Sequence, residues 1–550
     1  MTVADAIVGG RIATLAGGDG FGWVEALAIA DGRVAVAGSR ADVEQLAGPR
    51  TRRISLGPDE VVLPGLTDAH VHLAEAALGA DRIDLGRSTS LADALAVVAA
   101  AAARRSDPEA WLEGGGWDPN RWVRWPTAED LEASAPGRRV ALWAHDHHAL
   151  LVSRRVLAEA GIDATTPDPP GGAIRRAGAD RWPSGVLHEH ASRLVTARIP
   201  PPDAGDLDAA IERWSRELLS LGIVAVHDMG ALAPDPALGG AFAAAGRLDA
   251  AGRLAVRVHA GIREESLAAA IERGHRTGDP IETGQGRARV GWWKRFADGS
   301  LGSRTAYLRE PYEDADPEAA ERRGVALVDP VPLAAEIRRA ADAGIATAVH
   351  AIGDAAVDLA IASFEVAGTV TLPGRPLQSR IEHAQLVADD QLSRLRASGI
   401  ALSMQPIHAR TDGPSLGPAW GARARALGYR WRSIVDAGVR LAFGSDAPVE
   451  AVDPWPGLAA AFDRTAATLG TSADWLDPAE ALTLPSALRG VCVAPALVAG
   501  EPDRGRLVAG QRADLGVVAL PPGASLADPA VVAALRPRLV LVDGAVAWEA

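Results

Sequence analysis

Six ionisable side chains stand at or near the ends of apolar segments: His70, His72, Lys294, His350, His383 and Asp446. Imidazole nitrogens and carboxylate oxygens are the ligands that divalent transition metals such as Zn²⁺ accept in proteins. His70 and His72 are two residues apart, a spacing that puts both on one side of a strand, where they can bind one ion. A role as a hydrogen-bonded core residue would explain any one of the four histidines, but not the whole set of six residues. The pattern therefore predicts a metal centre.

Lys294 is the only lysine of the chain, in which lysine and arginine together number 56. It lies in the apolar run 290–296, VGWWKRF. An arginine stays charged, whereas a desolvated lysine can lose its proton and act as a nucleophile or combine with CO₂. Chance survival of one lysine is the alternative. We predict that Lys294 is carboxylated at its amine and that the carbamate bridges two metal ions.

Eight short apolar segments that alternate with alanine- and leucine-rich helical stretches must position these groups. This alternation is typical of parallel βα units, and eight units close into a (β/α)8 TIM-type barrel of the α/β class. In such a barrel the catalytic groups collect at the carboxyl ends of the strands. The predicted strands are 66–72, 223–228, 254–260, 289–296, 345–350, 380–383, 400–405 and 441–446.

Both ends of the chain have a different texture from its middle. Residues 1–64 and 496–550 contain short strands and Asp-Gly turns, which indicate hairpins. Neither end is large enough to bury a core alone, so we expect the two to pair into one β-sandwich domain. The barrel then occupies 65–495, with a tryptophan-rich insertion at about 105–200 between its first and second strands.

The composition favours a small-molecule enzyme. The net charge of −14 is opposite to what nucleic acid or an acidic membrane would attract, so neither is an expected partner. The single cysteine, Cys492, cannot form an internal disulfide and is expected to be a buried thiol. The start has no basic leader, and no run of 18 apolar residues occurs, which favours a cytoplasmic location. A homodimer stays open.

Several runs resemble the amidohydrolase superfamily and, within it, the amidohydrolase 3 branch, which includes N-substituted formamide deformylases. The opening of the barrel, LPGLTDAHVH at 63–72, and the return into the sandwich, GRLVAGQRAD at 505–514, match the superfamily. The branch is carried by 115–118 (GGWD), 183–187 (PSGVL), 298–306 (DGSLGSRTA), 350–354 (HAIGD) and 444–450 (GSDAPVE).

The resemblance implies metal on the same six residues. His70, His72 and Asp446 would hold one ion, His350 and His383 a second, and carboxylated Lys294 would bridge them. Two Zn²⁺ are expected, with Mn²⁺, Fe²⁺, Co²⁺ or Ni²⁺ also acceptable. A metal-bound hydroxide would attack the substrate, and Asp446 would move the proton to the departing amine. The implied reaction is hydrolysis of a non-peptide C–N bond in an amide, N-substituted formamide or cyclic amide.

Five further residues are predicted substrate contacts: His147, Asp298, Arg304, His227 and Trp117. His147 lies on the family's position, but leucine and valine replace the tryptophan and asparagine that follow in the branch. We therefore expect a more apolar pocket there. The alternative for Asp298 and Arg304 is anchoring of their loop, and for His227 and Trp117 it is packing.

Other functions stay open. The fold could serve a deaminase, a lactonase or esterase, a phosphoesterase, an isomerase or a decarboxylase. A one-metal deaminase has no need of Lys294. A non-catalytic binding protein would be expected to lose some of the six residues, and a covalent serine hydrolase would need a Gly-x-Ser-x-Gly elbow, which the sequence lacks.

Overall fold

The computed structural model describes residues 3–80, 82–86, 88–105, 107–117, 122, 124–144, 149–170, 172–177, 181–200, 203–230, 238–302, 304–315, 317–318, 322–368 and 378–550. The chain divides into two compact units, one formed by 1–77 with 207–550 and the other by 78–206.

The first unit begins with a β domain and the first barrel strand. Its elements are β1 (Ala6–Ala13), β2 (Trp23–Ala30), β3 (Arg33–Gly38), α1 (Arg40–Glu44), β4 (Arg52–Ser55), β5 (Glu60–Pro64), β6 (Leu66–Val71) and α2 (Leu73–Ala80). Asp31 and Gly32 connect β2 to β3 with φ of 50° and 74°. Two positive φ values characterise the two-residue hairpin turn that Asp-Gly favours, so the predicted hairpin is confirmed.

The unit at 78–206 has a six-stranded sheet of its own, in the order β11-β12-β10-β9-β8-β7. Its elements are β7 (Ile83–Asp84), α3 (Leu91–Arg104), β8 (Trp111–Trp117), α4 (Ala128–Ser134), β9 (Arg139–Ala144), β10 (Ala149–Val152), α5 (Arg154–Ala160), β11 (Gly172–Ala177), β12 (Trp182–Glu189) and α6 (Arg193–Thr196). Its core is apolar and includes Leu112, Trp117 and Leu142.

The remaining barrel strands alternate with helices. The strands are β13 (Ile223–Asp228), β14 (Arg257–Ile262), β15 (Ala288–Phe296), β16 (Thr347–Ala351), β17 (Arg380–His383), β18 (Ala401–Met404) and β19 (Leu441–Phe443). The helices are α7 (Ala204–Ser220), α8 (Gly240–Ala250), α9 (Leu267–Glu272), α10 (Pro330–Asp342), α11 (Asp354–Ala367), α12 (Asp389–Ser398), α13 (His408–Thr411), α14 (Gly413–Trp420), α15 (Ala422–Leu427), α16 (Trp431–Asp436), α17 (Pro454–Phe462), α18 (Ala466–Leu469) and α19 (Leu484–Val498).

The eight strands β6 and β13–β19 form one parallel sheet that nearly closes. The last strand returns to the first, because Asp446 N–H donates to the His70 carbonyl (2.8 Å) and His72 N–H to the Ala447 carbonyl (2.8 Å). The strands are buried almost throughout, as parallel strands covered by helices must be. The predicted (β/α)8 barrel is confirmed.

Two barrel strands differ from their predicted bounds by three residues at one end, and four others differ by one or two residues. The third is Arg257–Ile262 rather than 254–260. The eighth ends at Phe443, three residues before Asp446. There the Asp68 carboxylate accepts hydrogen bonds from Ser445 N–H (2.9 Å) and His70 N–H (3.1 Å), and Asp446 has a φ of 66°. Asp446 therefore lies on a turn past the strand.

The two chain ends were predicted to pair into one β-sandwich domain, and their strands do form one β-rich domain, joined in a single eight-stranded sheet. After the barrel come β20 (Leu515–Ala519), α20 (Pro529–Ala533), β21 (Pro537–Val542) and β22 (Ala545–Glu549). β20 pairs antiparallel with β5, which places residues 515–549 beside the N-terminal strands over a shared apolar core. Within the described residues, we find no helix with the length and apolar character needed to span a bilayer.

Candidate functional site

The six predicted metal residues all lie toward the carboxyl ends of the barrel strands, and Asp446 is close to three of the histidines. Its Oδ1 is 3.3 Å from His70 Nε2 and 3.4 Å from His72 Nε2. Its Oδ2 is 4.0 Å from His383 Nδ1. The His383 ring in turn lies 4.4 Å from the His350 ring, centroid to centroid. Four strands and one turn thus bring these side chains together.

Each of the four histidines has one ring nitrogen held by a protein oxygen. The contacts are His70 Nδ1 to Glu382 Oε2 (2.7 Å), His72 Nδ1 to Gly230 O (2.8 Å), His383 Nδ1 to Gln405 Oε1 (2.8 Å) and His350 Nε2 to Gly299 O (3.0 Å). A carbonyl or carboxylate oxygen only accepts, so each of these nitrogens donates. In a neutral ring the opposite nitrogen then carries a lone pair, which is the state that binds metal.

Burial keeps the rings of His70, His350 and His383 neutral. It lowers the pKa of His70 to about 4 and that of His350 to about 3, with the charge of Lys294 acting in the same direction. The pKa of His383 is held well below its ordinary value for the same reason, burial, together with His350. Three imidazoles are therefore in their metal-binding form at neutral pH.

Lys294 belongs to the same cluster. Its side chain is 1% exposed, and Nζ makes no hydrogen bond within the described part of the chain. It lies 5.1 Å from the centre of the Phe296 ring. Burial lowers the pKa of this amine to about 8. Burying an amine without a hydrogen-bond partner lowers the stability of the folded protein unless another group binds the amine.

Arg380 and Glu382 form an ionic support beneath His70. Arg380 Nε lies 2.5 Å from Glu382 Oε1, and both side chains are fully buried. Arg380 Nη2 also donates to the Ala69 carbonyl (2.9 Å), and the guanidinium stacks 4.1 Å over the Trp292 ring. Although burial opposes ionisation, the charge of Arg380 and the hydrogen bond from His70 hold the pKa of Glu382 at about 2. A carboxylate therefore orients His70.

Two of the predicted substrate contacts have protein partners deeper in the barrel or beside it. His227 Nδ1 accepts a hydrogen bond from Arg380 Nη1 (3.0 Å), and its ring packs on Trp292. The Asp298 carboxylate accepts from the backbone N–H groups of Tyr307, Ile352 and Gly353 (2.9 to 3.2 Å), which anchors the loops after β15 and β16. Burial raises the pKa of Asp298 to about 7.

For the other three predicted contacts, no described contact tests the predicted role. Arg304 donates to the Asp314 carboxylate from both Nε (3.0 Å) and Nη2 (2.8 Å). Trp117 is fully buried in the 78–206 unit, where its Nε1 donates to the Leu142 carbonyl (2.8 Å). His147 lies outside the described residues. Their roles toward substrate stay predictions.

Four residues near the cluster escaped the sequence analysis: Asp68, Glu382, Gln405 and His408. Asp68 lies inside the LPGLTDAHVH run, and Glu382 directly precedes His383. Gln405 and His408 follow β18, the seventh barrel strand, to which no ligand was assigned. Their position just after a barrel strand could have identified them, since the carboxyl end of every barrel strand can contribute residues to the site.

The donor set fits a divalent metal. One atom each of His70, His383 and Asp446 lie within 4.8 Å of one another. Among the described residues, buried atoms without a hydrogen-bond partner include His70 Nε2, Lys294 Nζ and Asp446 Oδ1. Native proteins rarely bury such atoms without a partner, and three of them meet here. Imidazole nitrogen and carboxylate oxygen are the donors that Zn²⁺ and similar ions accept.

Comparisons with known proteins identify the family of this chain. YtcJ of Bacillus subtilis (strain 168) is 30% identical over 529 residues, which cover 96% of each chain. The N-substituted formamide deformylase of Arthrobacter pascens is 28% identical over 504 residues, 89% of each chain. A crystal structure of an uncharacterized metal-dependent hydrolase from Pyrococcus furiosus superposes with a TM-score of 0.71 at 29% identity, over 94% of this chain and 99% of that one. The family model described as "Amidohydrolase family" matches residues 59–547. The chain belongs to the amidohydrolase family.

Proposed function

We propose that this protein is a metal-dependent hydrolase that cleaves a non-peptide C–N bond of a small molecule, in an amide, an N-substituted formamide or a cyclic amide. The observation that carries the proposal is the common hydrogen-bonded state of four histidines, three of them buried. Each donates from one nitrogen to a protein oxygen, so that the other nitrogen is a lone-pair ligand beside Asp446 and Lys294.

His70, His72 and Asp446 would hold one ion, and His350 and His383 a second. The distances of Asp446 Oδ1 from both His70 Nε2 and His72 Nε2, 3.3 and 3.4 Å, support the first set. The 4.4 Å separation of the His350 and His383 rings supports the second. Zn²⁺ is our first choice of ion. When bound, such ions activate water at neutral pH and polarise a carbonyl.

Lys294 would bridge the two sets as a carbamate. Its neutral amine would attack CO₂, so that an N–C bond forms, one C=O π bond opens and the nitrogen loses one proton; the side chain then ends in two oxygens that share a single negative charge. Full burial of Lys294 and the lack of a hydrogen-bond partner for Nζ among the residues that the structure describes support this assignment. Arginine could not replace it, because a guanidinium keeps its proton.

Asp446 would move the proton. Its Oδ1 lies 3.3 Å from His70 Nε2 and 3.4 Å from His72 Nε2, while Oδ2 lies 4.0 Å from His383 Nδ1, so the carboxylate stands between the two proposed ligand sets. A carboxylate in this place can take a proton from the attacking water and give it to the departing amine. The N-substituted formamide deformylase relative supports the choice of a formamide among the substrate classes.

Elemental analysis of metal per chain, on the wild type, Lys294→Ala and Lys294→Arg, tests the proposal. Each variant is then screened with N-substituted formamides, N-acyl amines, cyclic amides and esters. We expect about two metals and C–N hydrolysis in the wild type, and loss of metal and activity in both variants. One metal in all three proteins, with activity retained, would contradict the bridging role and favour a one-metal deaminase or hydrolase.

A further inference from the structure

His408 lies beside the proposed centre but differs from the four ligand histidines. It begins α13, directly after the seventh barrel strand, and is 8% exposed. Its Nε2 lies 3.8 Å from Asp446 Oδ2, and its ring stacks on His383 with 6.2 Å between centroids and 10° between planes. Among the described residues, Nε2 has no hydrogen-bond partner.

The His408 ring directs a protonated nitrogen to the site, whereas the four ligand histidines direct an unprotonated one. The side-chain nitrogen of Gln385 lies 3.4 Å from His408 Nδ1. An amide nitrogen donates and does not accept, so Nδ1 accepts and the ring proton is on Nε2. The four ligand histidines turn lone pairs to the site, whereas His408 turns an N–H toward Asp446 Oδ2.

We propose that His408 is a further catalytic residue, whose Nε2–H donates a hydrogen bond to the substrate's carbonyl oxygen as negative charge develops on it. The inference rests on the proposed function. A separation of 3.8 Å is too long for a direct bond between His408 and Asp446. It suits two groups that contact one reacting centre, with the donor facing the oxygen and the carboxylate facing the nitrogen.

A donor aimed at the developing oxyanion acts mainly in the transition state. Loss of one such donor in other hydrolases lowers kcat by about 10²–10³-fold. A role restricted to the transition state also predicts that KM changes little. If the ring were only structural, its replacement would instead lower the stability of the protein and would not reduce kcat selectively over KM.

Three variants test the proposal: His408→Leu, His408→Gln and, as a matched control, His275→Leu. His275 packs edge-on against Phe242, 5.2 Å between centroids, and belongs to neither ligand set. Each protein is measured for metal per chain, for kcat and KM on an N-substituted formamide, and for binding of methylphosphonate, a tetrahedral oxyanion, by calorimetry.

We expect His408→Leu to keep its metal, to lose about 10²–10³-fold in kcat and to bind methylphosphonate at least tenfold more weakly. His408→Gln, which retains an N–H donor, should recover part of both losses, and His275→Leu should match the wild type. Loss of metal from His408→Leu would make His408 a ligand and overturn the proposal. Unchanged kcat and methylphosphonate binding would also overturn it.

The phosphonate measurement separates this inference from the proposed function. If the wild type hydrolyses none of the tested compounds, the proposed function fails. The weaker oxyanion binding of His408→Leu would then still support a donor at this position, and equal binding by both proteins would reject it.

Discussion

The two units of this protein place their charged side chains differently. In the unit at 78–206, no described Asp, Glu, Arg or His side chain of known burial is buried, and ion pairs such as Arg154–Glu129 and Arg124–Asp130 lie at the surface. In the barrel, Lys294, Arg380 and Glu382 are at most 1% exposed. Burying a charge costs free energy unless it is paired, and buried ionisable groups with shifted pKa values concentrate at functional sites.

The two units also use tryptophan differently. Trp117 fills an apolar core, with its one polar atom bonded to a carbonyl. Trp292 instead supports the guanidinium of Arg380, which holds the carboxylate that orients His70. The same residue type is therefore packing in one unit and part of the site's support in the other.

The largest effect should come from Asp446. We expect Asp446→Asn to lower kcat by about 10²–10⁴-fold, because an amide cannot take a proton from water. Steady-state kinetics on the best N-substituted formamide measure the effect. Glu129→Gln, an exposed carboxylate of the other unit, is the control and should be silent. Equal activity of Asp446→Asn and the wild type would remove Asp446 from the chemistry.

Arg380→Met should have the next largest effect. It leaves Glu382 buried without its cation, which typically costs about 3–5 kcal/mol. Thermal unfolding should show a clear decrease in Tm, whereas Arg394→Met, which breaks a surface pair with Glu365 (2.8 Å), should hardly change it. Equal Tm values for the two variants would show that the buried support is not a stability element.

Glu382→Gln tests orientation of His70 with little change in volume. The ring would lose its charged acceptor, and we expect metal affinity to weaken about 10–100-fold. Competition with a chelator of known affinity measures this change. Glu365→Gln is the surface control. A wild-type affinity in Glu382→Gln would mean that His70 needs no carboxylate.

The smallest effect belongs to the surface of the 78–206 unit. Arg154→Ala removes an exposed pair with Glu129 (2.8 Å), and such pairs contribute less than about 1 kcal/mol. We expect Tm to change by at most about 2 °C. A decrease as large as that of Arg380→Met would contradict the contrast between the two units.

Much of the fold could be predicted from local pattern. The βα alternation identified the barrel, the Asp-Gly turns identified hairpins at the chain ends, and strand ends identified six candidate ligands. The errors are local. The predicted eighth strand extends to Asp446, whereas the observed strand ends before it. A run of apolar residues does not reveal the turn that the Asp68 carboxylate stabilises by accepting hydrogen bonds from Ser445 and His70. His408 was not predicted because it lies four residues after the end of β18, outside the strand ends from which the ligands were predicted.

The sequence by itself determined which chemistry was available: one lysine, paired histidines and an aspartate after parallel strands. Periodicity and residue type carry that information because each strand end points to the same edge of the barrel. Only the tertiary structure decided which nitrogen of each histidine is a lone pair. That choice depends on acceptors and donors far along the chain, such as Glu382 for His70, 312 residues away. No local pattern encodes a hydrogen bond across such a separation.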